Sequence, residues 1–320
     1  MRSIKHRNLW KSVLFLLILS LILSALSALS IQLDRNPNPL FNFCARDLLQ
    51  EPENTIDTLV IGTSDAYSGV SPLVWWNQHG YAGYVWGEPA QRIYETHEYL
   101  KKIYQRQTPK VVFLEVGNVY RDPSDGLNLD FMVKAYLADV FPLVTYHRTL
   151  SQFSFARLRA KPGCVARGYL IRSGTQGVSD QTGGYMKPDS AAGPINYFSA
   201  RELGACIDLC RSHGSQVVLL SVPSFADWNM EKHNGMTALA KKYEVSYLDL
   251  NLELKSQINW KTDTVDGGKH LNDKGAEKVS VYLGDYLAEH YTLPDHRGDS
   301  AYSSWNTDYQ AYAAEIKKLR

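Results

Sequence analysis

Leu59-Val60-Ile61-Gly62-Thr63-Ser64 is the stretch on which the fold turns. A short apolar run with no polar break reads as a strand buried on both faces, the kind found in parallel sheets. It ends in a hydroxyl, and a turn at a strand tip projects such a group clear of the sheet. Taken alone, Ser64 reads as the cap of a following helix, with Asp65 and Ser68 suited to the same work.

Downstream, the pattern alternates. Helix-like residues 72–79 precede a strand at Tyr84-Val85-Trp86, and a helical pattern runs from Pro89 to about Arg106. Lys110-Val111-Val112-Phe113-Leu114-Glu115-Val116 is the clearest strand, bounded by Pro109 and Gly117. A helix over 199–213 stops at Gly214, and a strand over 216–222 stops at Pro223. Helix 231–243, a strand at 245–249 and a helix capped by Asn272 or Asp273 and running to about 289 complete the series. Five strands alternating with helices predict a mostly parallel five-stranded sheet covered on both faces. Residues 127–194 read as an insertion over the sheet that forms one wall of a cleft, with a Gly/Ser/Thr-rich stretch at 173–184. Residues 291–320 read as a loop and a helix packed on the domain.

Ligands of open α/β sheets gather at the carboxyl ends of the strands. Ser64, Gly87, Asn118 and Ser224 follow four of the strands, and Asp263, Asp266 and His270 follow the fifth. In Asp266-Gly267-Gly268-Lys269-His270, the glycines let the loop fold back so that the carboxylate reaches the imidazole. A serine, a histidine and an aspartate on one rim are the parts of a nucleophile, its base and the orienter of that base. Each residue alone has a plainer reading as a cap, a loop histidine or a turn residue. The shared rim is what favours chemistry.

Gly62-Thr63-Ser64, Gly87, Gly117-Asn118 and Asp266 to His270-Leu271-Asn272 resemble the four blocks of SGNH/GDSL hydrolases, in the same order. The stretch from Thr58 to Leu287 is similar to the membrane-anchored bacterial branch that includes proteins of teichoic-acid alanylation and polysaccharide O-acetylation. Pro223, Trp228, His233-Asn234 and Asp249-Leu250-Asn251 share in that similarity. The resemblance implies a flavodoxin-like three-layer α/β/α sandwich. It implies a serine esterase or acyltransferase with Ser64 as nucleophile, His270 as base and Asp266 as its partner. The Ser64 N–H, Gly87 and Asn118 would form the oxyanion hole. The aspartate stands one residue further from the histidine than the family places it, so Asp263 is held in reserve. Glu88 follows Gly87, and a carboxylate there repels an oxyanion unless it points away.

The amino terminus adds a location. Arg2, Lys5, Arg7 and Lys11 precede residues 12–33, which carry no charge. That run is long enough to span a bilayer, which takes about 20 apolar residues. The basic end is expected in the cytoplasm and the remainder outside. Ala25-Leu26-Ser27-Ala28 offers a cleavage site, but the run exceeds a signal core and favours an uncleaved anchor. Residues 34–54, with three prolines, read as a linker.

The expected substrate is an acylated cell-envelope glycan or polymer, with a membrane-bound partner as acyl donor. An acyl-serine can be intercepted by water or by a sugar hydroxyl, so hydrolase and transferase both stand. A second reading is an inactive scaffold that binds envelope polymer, suggested by 20 Tyr and 7 Trp. A third, a metal-dependent phosphoesterase using Asp249, Asp263, Asp266 and His270, lacks paired ligand spacings. No cofactor or metal is expected. A net charge of +1 gives no footprint for nucleic acid. Cys44, Cys164, Cys206 and Cys210 are irregularly spaced and read as buried small hydrophobes without a disulfide framework.

Overall fold

The computed structural model describes residues 2–34, 42–121, 137, 140–159, 166–179 and 184–320. Cys164, part of the expected linker and much of the expected insertion lie outside these residues. The chain forms two compact units, Met1–Phe43 with Asp125–Gly163, and Cys44–Ser124 with Cys164–Arg320.

In the first unit, one helix runs from Arg2 to Asp34. Its residues 9–34 are long and apolar enough to cross a membrane. The first half of that stretch is bare, whereas Ser27, Ser30 and Leu33 near its end are buried.

The second unit is built on strands β1 (Thr58–Gly62), β2 (Gly83–Gly87), β3 (Val111–Glu115), β4 (Gln216–Ser221) and β5 (Ser246–Asp249). Their order is β2-β1-β3-β4-β5, and every neighbouring pair is parallel. This flavodoxin-like order reverses direction between β1 and β3, and ligands of such sheets bind at that switch point.

Two apolar layers cover the sheet. Leu59, Ile61, Val112, Leu114 and Leu219 pack with Leu100, Ile103, Leu203, Ile207, Met236 and Leu239 from the helices Ile93–Ile103, Tyr197–Ser212 and Met230–Tyr243. The intervening strand positions Val60, Phe113, Val218 and Leu220 pack with Ala66, Trp75, Val279, Leu283 and Leu287 on the other face. The alternation follows from the two-residue period of a strand. Each fully buried aliphatic side chain contributes about 1.5–3 kcal/mol.

The stretch read as a linker includes a 3-10 helix, Phe43–Gln50, whose Ala45 and Leu48 are buried. The C-terminal helix Ser303–Leu319 sets Trp305 on Trp76, with ring centroids 5.4 Å apart. The Arg167 guanidinium lies over the Trp305 ring, 4.1 Å from its centroid, and pairs with Glu51 and Asp308.

One expectation is overturned. Cys44 is disulfide-bonded, whereas Cys206 and Cys210 are free and buried. Irregular spacing carried no trace of that bridge, because pairing depends on where the fold brings sulfurs together.

Candidate active site

Thr63, not Ser64, caps the helix Ser64–Gly69, its side chain accepting the Asp65 N–H at 3.2 Å. The capping role is therefore filled, and the Ser64 hydroxyl is committed elsewhere. Its Oγ lies 2.8 Å from His270 Nε2. His270 Nδ1 lies 2.5 Å from Asp266 Oδ2, and Asp266 Oδ1 accepts the His270 backbone N–H at 2.8 Å. A carboxylate at Nδ1 holds the proton there, which leaves Nε2 to accept from the serine hydroxyl.

This closure depends on a tight loop. Gly267 and Gly268 have φ of 74° and 92°, in the left-handed region that suits glycine. Gly268 donates to Thr264 Oγ1, which in turn donates to the His270 carbonyl, both at 2.8 Å. A side chain at Gly268 would also meet Phe225 at 2.8 Å. Two flanking segments clamp the loop. Ser224 donates to the Lys269 carbonyl at 2.9 Å and Ala226 to that of Gly268 at 3.1 Å. From the Gly/Ser/Thr-rich stretch, Gln176 donates to Thr264 and accepts from Gly267. Asn272 caps the helix that follows through Lys274 and Gly275.

Burial pushes the Asp266 carboxyl up, but the hydrogen bonds from the His270 ring and backbone outweigh it. The group is held below its ordinary value, ready to face an imidazolium. Asp263, the reserve, is not brought to the imidazole. Its buried carboxylate accepts from the Asn259 N–H at 2.8 Å and Lys278 Nζ at 2.6 Å through one oxygen, and from the Thr262 hydroxyl through the other.

Gly87 and Asn118 stand at the ends of β2 and just past β3, on either side of the β1 tip. A Cβ at Gly87 would sit 2.8 Å from the Thr63 carbonyl oxygen, so the β2 end lies against the Ser64 turn. Asn118 is buried and donates one amide hydrogen to Thr96 Oγ1 at 3.1 Å. Glu88 is turned away from this edge, accepting from Arg46 Nε at 2.8 Å and the Tyr99 hydroxyl at 3.0 Å.

Two carboxylates of the site escaped the reading of the sequence. Glu115, buried at the end of β3, accepts the Thr63 N–H and hydroxyl through one oxygen and the Gly117 N–H through the other. Burial raises its pKa and these donors oppose the rise. Asp65 Oδ1 lies 3.9 Å from His270 Nε2. Burial, and then the charge of Glu115, push its carboxyl up to about 7, against the pull of His270 and Arg121. The available signal was a lone acid in the otherwise apolar run of β3, since an unpaired buried charge is too costly to be accidental.

The residues offered for a metal are dispersed in role. Asp249 binds His233, Trp228 and Asn251, Asp263 binds Lys278, and Asp266 binds His270. Among the described residues, no group of three or more His, Cys, Asp or Glu could hold a metal ion.

No family model matches the chain, and no curated protein does. Solved structures are similar to it at low identity. A GDSL-like lipase from Bacteroides thetaiotaomicron VPI-5482 is 11% identical, with 72% of this chain and 87% of that chain covered and a TM-score of 0.37. The lipase/acylhydrolase from Enterococcus faecalis is 11% identical, with 75% and 99% covered and a TM-score of 0.41. Likeness at this level bears on neither activity nor substrate.

Proposed function

We propose that this chain is a serine esterase or O-acyltransferase, anchored by its N-terminal helix with the second unit outside the membrane. The observation that carries this is the unbroken Asp266–His270–Ser64 relay, with separations of 2.5 and 2.8 Å, at the sheet's switch point.

Ser64 Oγ attacks an ester carbonyl while His270 Nε2 takes its proton. Asp266 stabilises the imidazolium that results. The oxyanion is met by the Ser64 and Gly87 N–H groups and the second amide hydrogen of Asn118, the kind of donors whose single loss costs about 10²–10³ in rate. As the tetrahedral adduct collapses, the imidazolium returns its proton to the departing alkoxide, leaving an acyl-serine and an alcohol. Water or a sugar hydroxyl then adds by the reverse path, with His270 again taking the proton. The reading fits acyl esters of a cell-envelope glycan or polymer, with a membrane-bound partner supplying acyl groups in the transferase case.

The tryptophans lend the scaffold alternative little support. Six of the seven tryptophans, Trp75, Trp76, Trp86, Trp228, Trp260 and Trp305, are buried, and Trp10 belongs to the N-terminal helix. They are core residues, not a platform for sugars. The test is p-nitrophenyl acetate turnover by the full chain in detergent against Ser64→Ala. The proposal expects turnover to be lost in the variant, and equal rates would remove Ser64 from the chemistry.

A further inference from the structure

Residues 140–159 carry a set of large apolar side chains turned to solvent. Val140, Val144, Phe153, Phe155 and Leu158 are 37–69% exposed, and nearby Leu137 is 41% exposed. Arg148, Arg157 and Arg159 lie among them, and residues 140–159 contain no aspartate or glutamate. The segment is nevertheless folded, because Tyr146 and Thr149 are buried within the first unit. It is tied to the N-terminal helix, where the Leu143 N–H donates to Ser27 Oγ at 3.1 Å and the Thr149 hydroxyl reaches the Ser30 carbonyl at 3.0 Å.

The position of those ties is informative. The uncharged run begins at Ser12. At 1.5 Å per residue, about 20 residues cross a hydrocarbon core of about 30 Å, so the helix leaves it near residue 31. Ser27 and Ser30 therefore lie in the last turn before the outer headgroups. Exposed apolar side chains at that level suit acyl chains, and the arginines offer paired donors to lipid phosphates.

We infer that residues 140–159, together with Leu137, form a foot that lies in the outer bilayer interface, its apolar side chains among acyl chains and its arginines on anionic headgroups. This rests on the reading of the N-terminal helix as membrane-spanning. The foot would give the anchor a second point of attachment and fix its rotation about the membrane normal.

The test uses the full chain in vesicles of phosphatidylcholine and phosphatidylglycerol. A nitrobenzoxadiazole label is placed on Phe155→Cys, on Val144→Cys, or on Leu16→Cys within the span, and unsubstituted protein is the blank. Cys206 and Cys210 are fully buried and resist labelling. The labels at 155 and 144 are expected to shift to the blue and to lose most of their emission when brominated lipid replaces ordinary lipid, as the Leu16 label does. Water-like, unquenched emission at 155 and 144 beside a quenched Leu16 label would overturn the foot and leave the anchor standing. If the Leu16 label is also unquenched, the membrane reading fails and the foot with it. Labels protected only when other membrane proteins are present would overturn the lipid assignment in favour of a protein partner.

Discussion

One oxygen of Glu115 accepts both the backbone N–H and the hydroxyl of Thr63, each at 2.8 Å, although the two residues are 52 positions apart. Thr63 carries the nucleophile's turn, and the other oxygen of Glu115 holds Gly117, next to Asn118. A single buried carboxylate thus braces the tips of β1 and β3 against each other. The space is filled so closely that a Cβ at Gly62 would sit 2.4 Å from that of Glu115.

Glu115→Gln is expected to lower kcat for an ester roughly 10- to 100-fold with little change in KM, because a misplacement of about 1 Å can cost that much. An amide keeps only one acceptor oxygen, so the donors of one strand tip are left unpaired, which is expected to lower stability by about 1–3 kcal/mol. Urea unfolding and steady-state kinetics on the same samples separate the two effects. Wild-type kcat in a correctly folded variant would deny Glu115 a positioning role.

Asp266 and Asp263 are separable by the same pair of measurements. Asp266→Asn leaves the wrong tautomer at His270 and is expected to reduce kcat by about 10⁴, with the fold retained. Asp263→Asn weakens the contact with Lys278 at 2.6 Å. It is expected to lower stability by about 1–3 kcal/mol while kcat stays within a few-fold. The reverse pattern would exchange their roles.

Much of this was legible from residue pattern, for reasons that can be named. β1, β3 and β4 are continuous apolar runs because both faces of the sheet are covered, and the flanking Pro and Gly mark their ends. The helix expected from Pro89 begins only at Ile93, because Glu95 accepts the Arg92 N–H at 2.6 Å and so closes the first turn there. Asp266 was preferred to Asp263 from the sequence because Gly267 and Gly268 let the loop fold back, and both glycines stand at positive φ. Glu115 and Asp65 were hidden because their partners come from other strands and loops. The Gly/Ser/Thr-rich stretch showed only a lack of periodicity, while its role is to bond the histidine loop through backbone groups.

Asp65 sets a pH dependence of stability. Its carboxyl is raised from 3.8 to about 7 in the fold by burial and by Glu115, while His270 and Arg121 oppose the rise and Asp227 adds to it. A raised acid holds its proton more tightly when folded, so stability falls as pH rises from about 4 through 7. Asp65→Asn is therefore expected to raise the urea midpoint at pH 8 and to leave it nearly unchanged at pH 4. Equal shifts at both pH values would contradict this assignment.

The disulfide at Cys44 is expected to stabilise the protein by about 2–4 kcal/mol, a loss that should appear on reduction. Non-reducing peptide mapping should find Cys44 bridged and Cys206 and Cys210 as thiols. A free Cys44 thiol in oxidised protein would be inconsistent with the structure.

The most direct test of the proton relay is to map where a fluorophosphonate reacts. The full chain should carry the phosphonyl group on the peptide containing Ser64, at a rate that falls sharply in His270→Ala and Asp266→Asn. Modification of another residue, or none in protein whose relay geometry is intact, would contradict the assignment of Ser64 as an activated nucleophile.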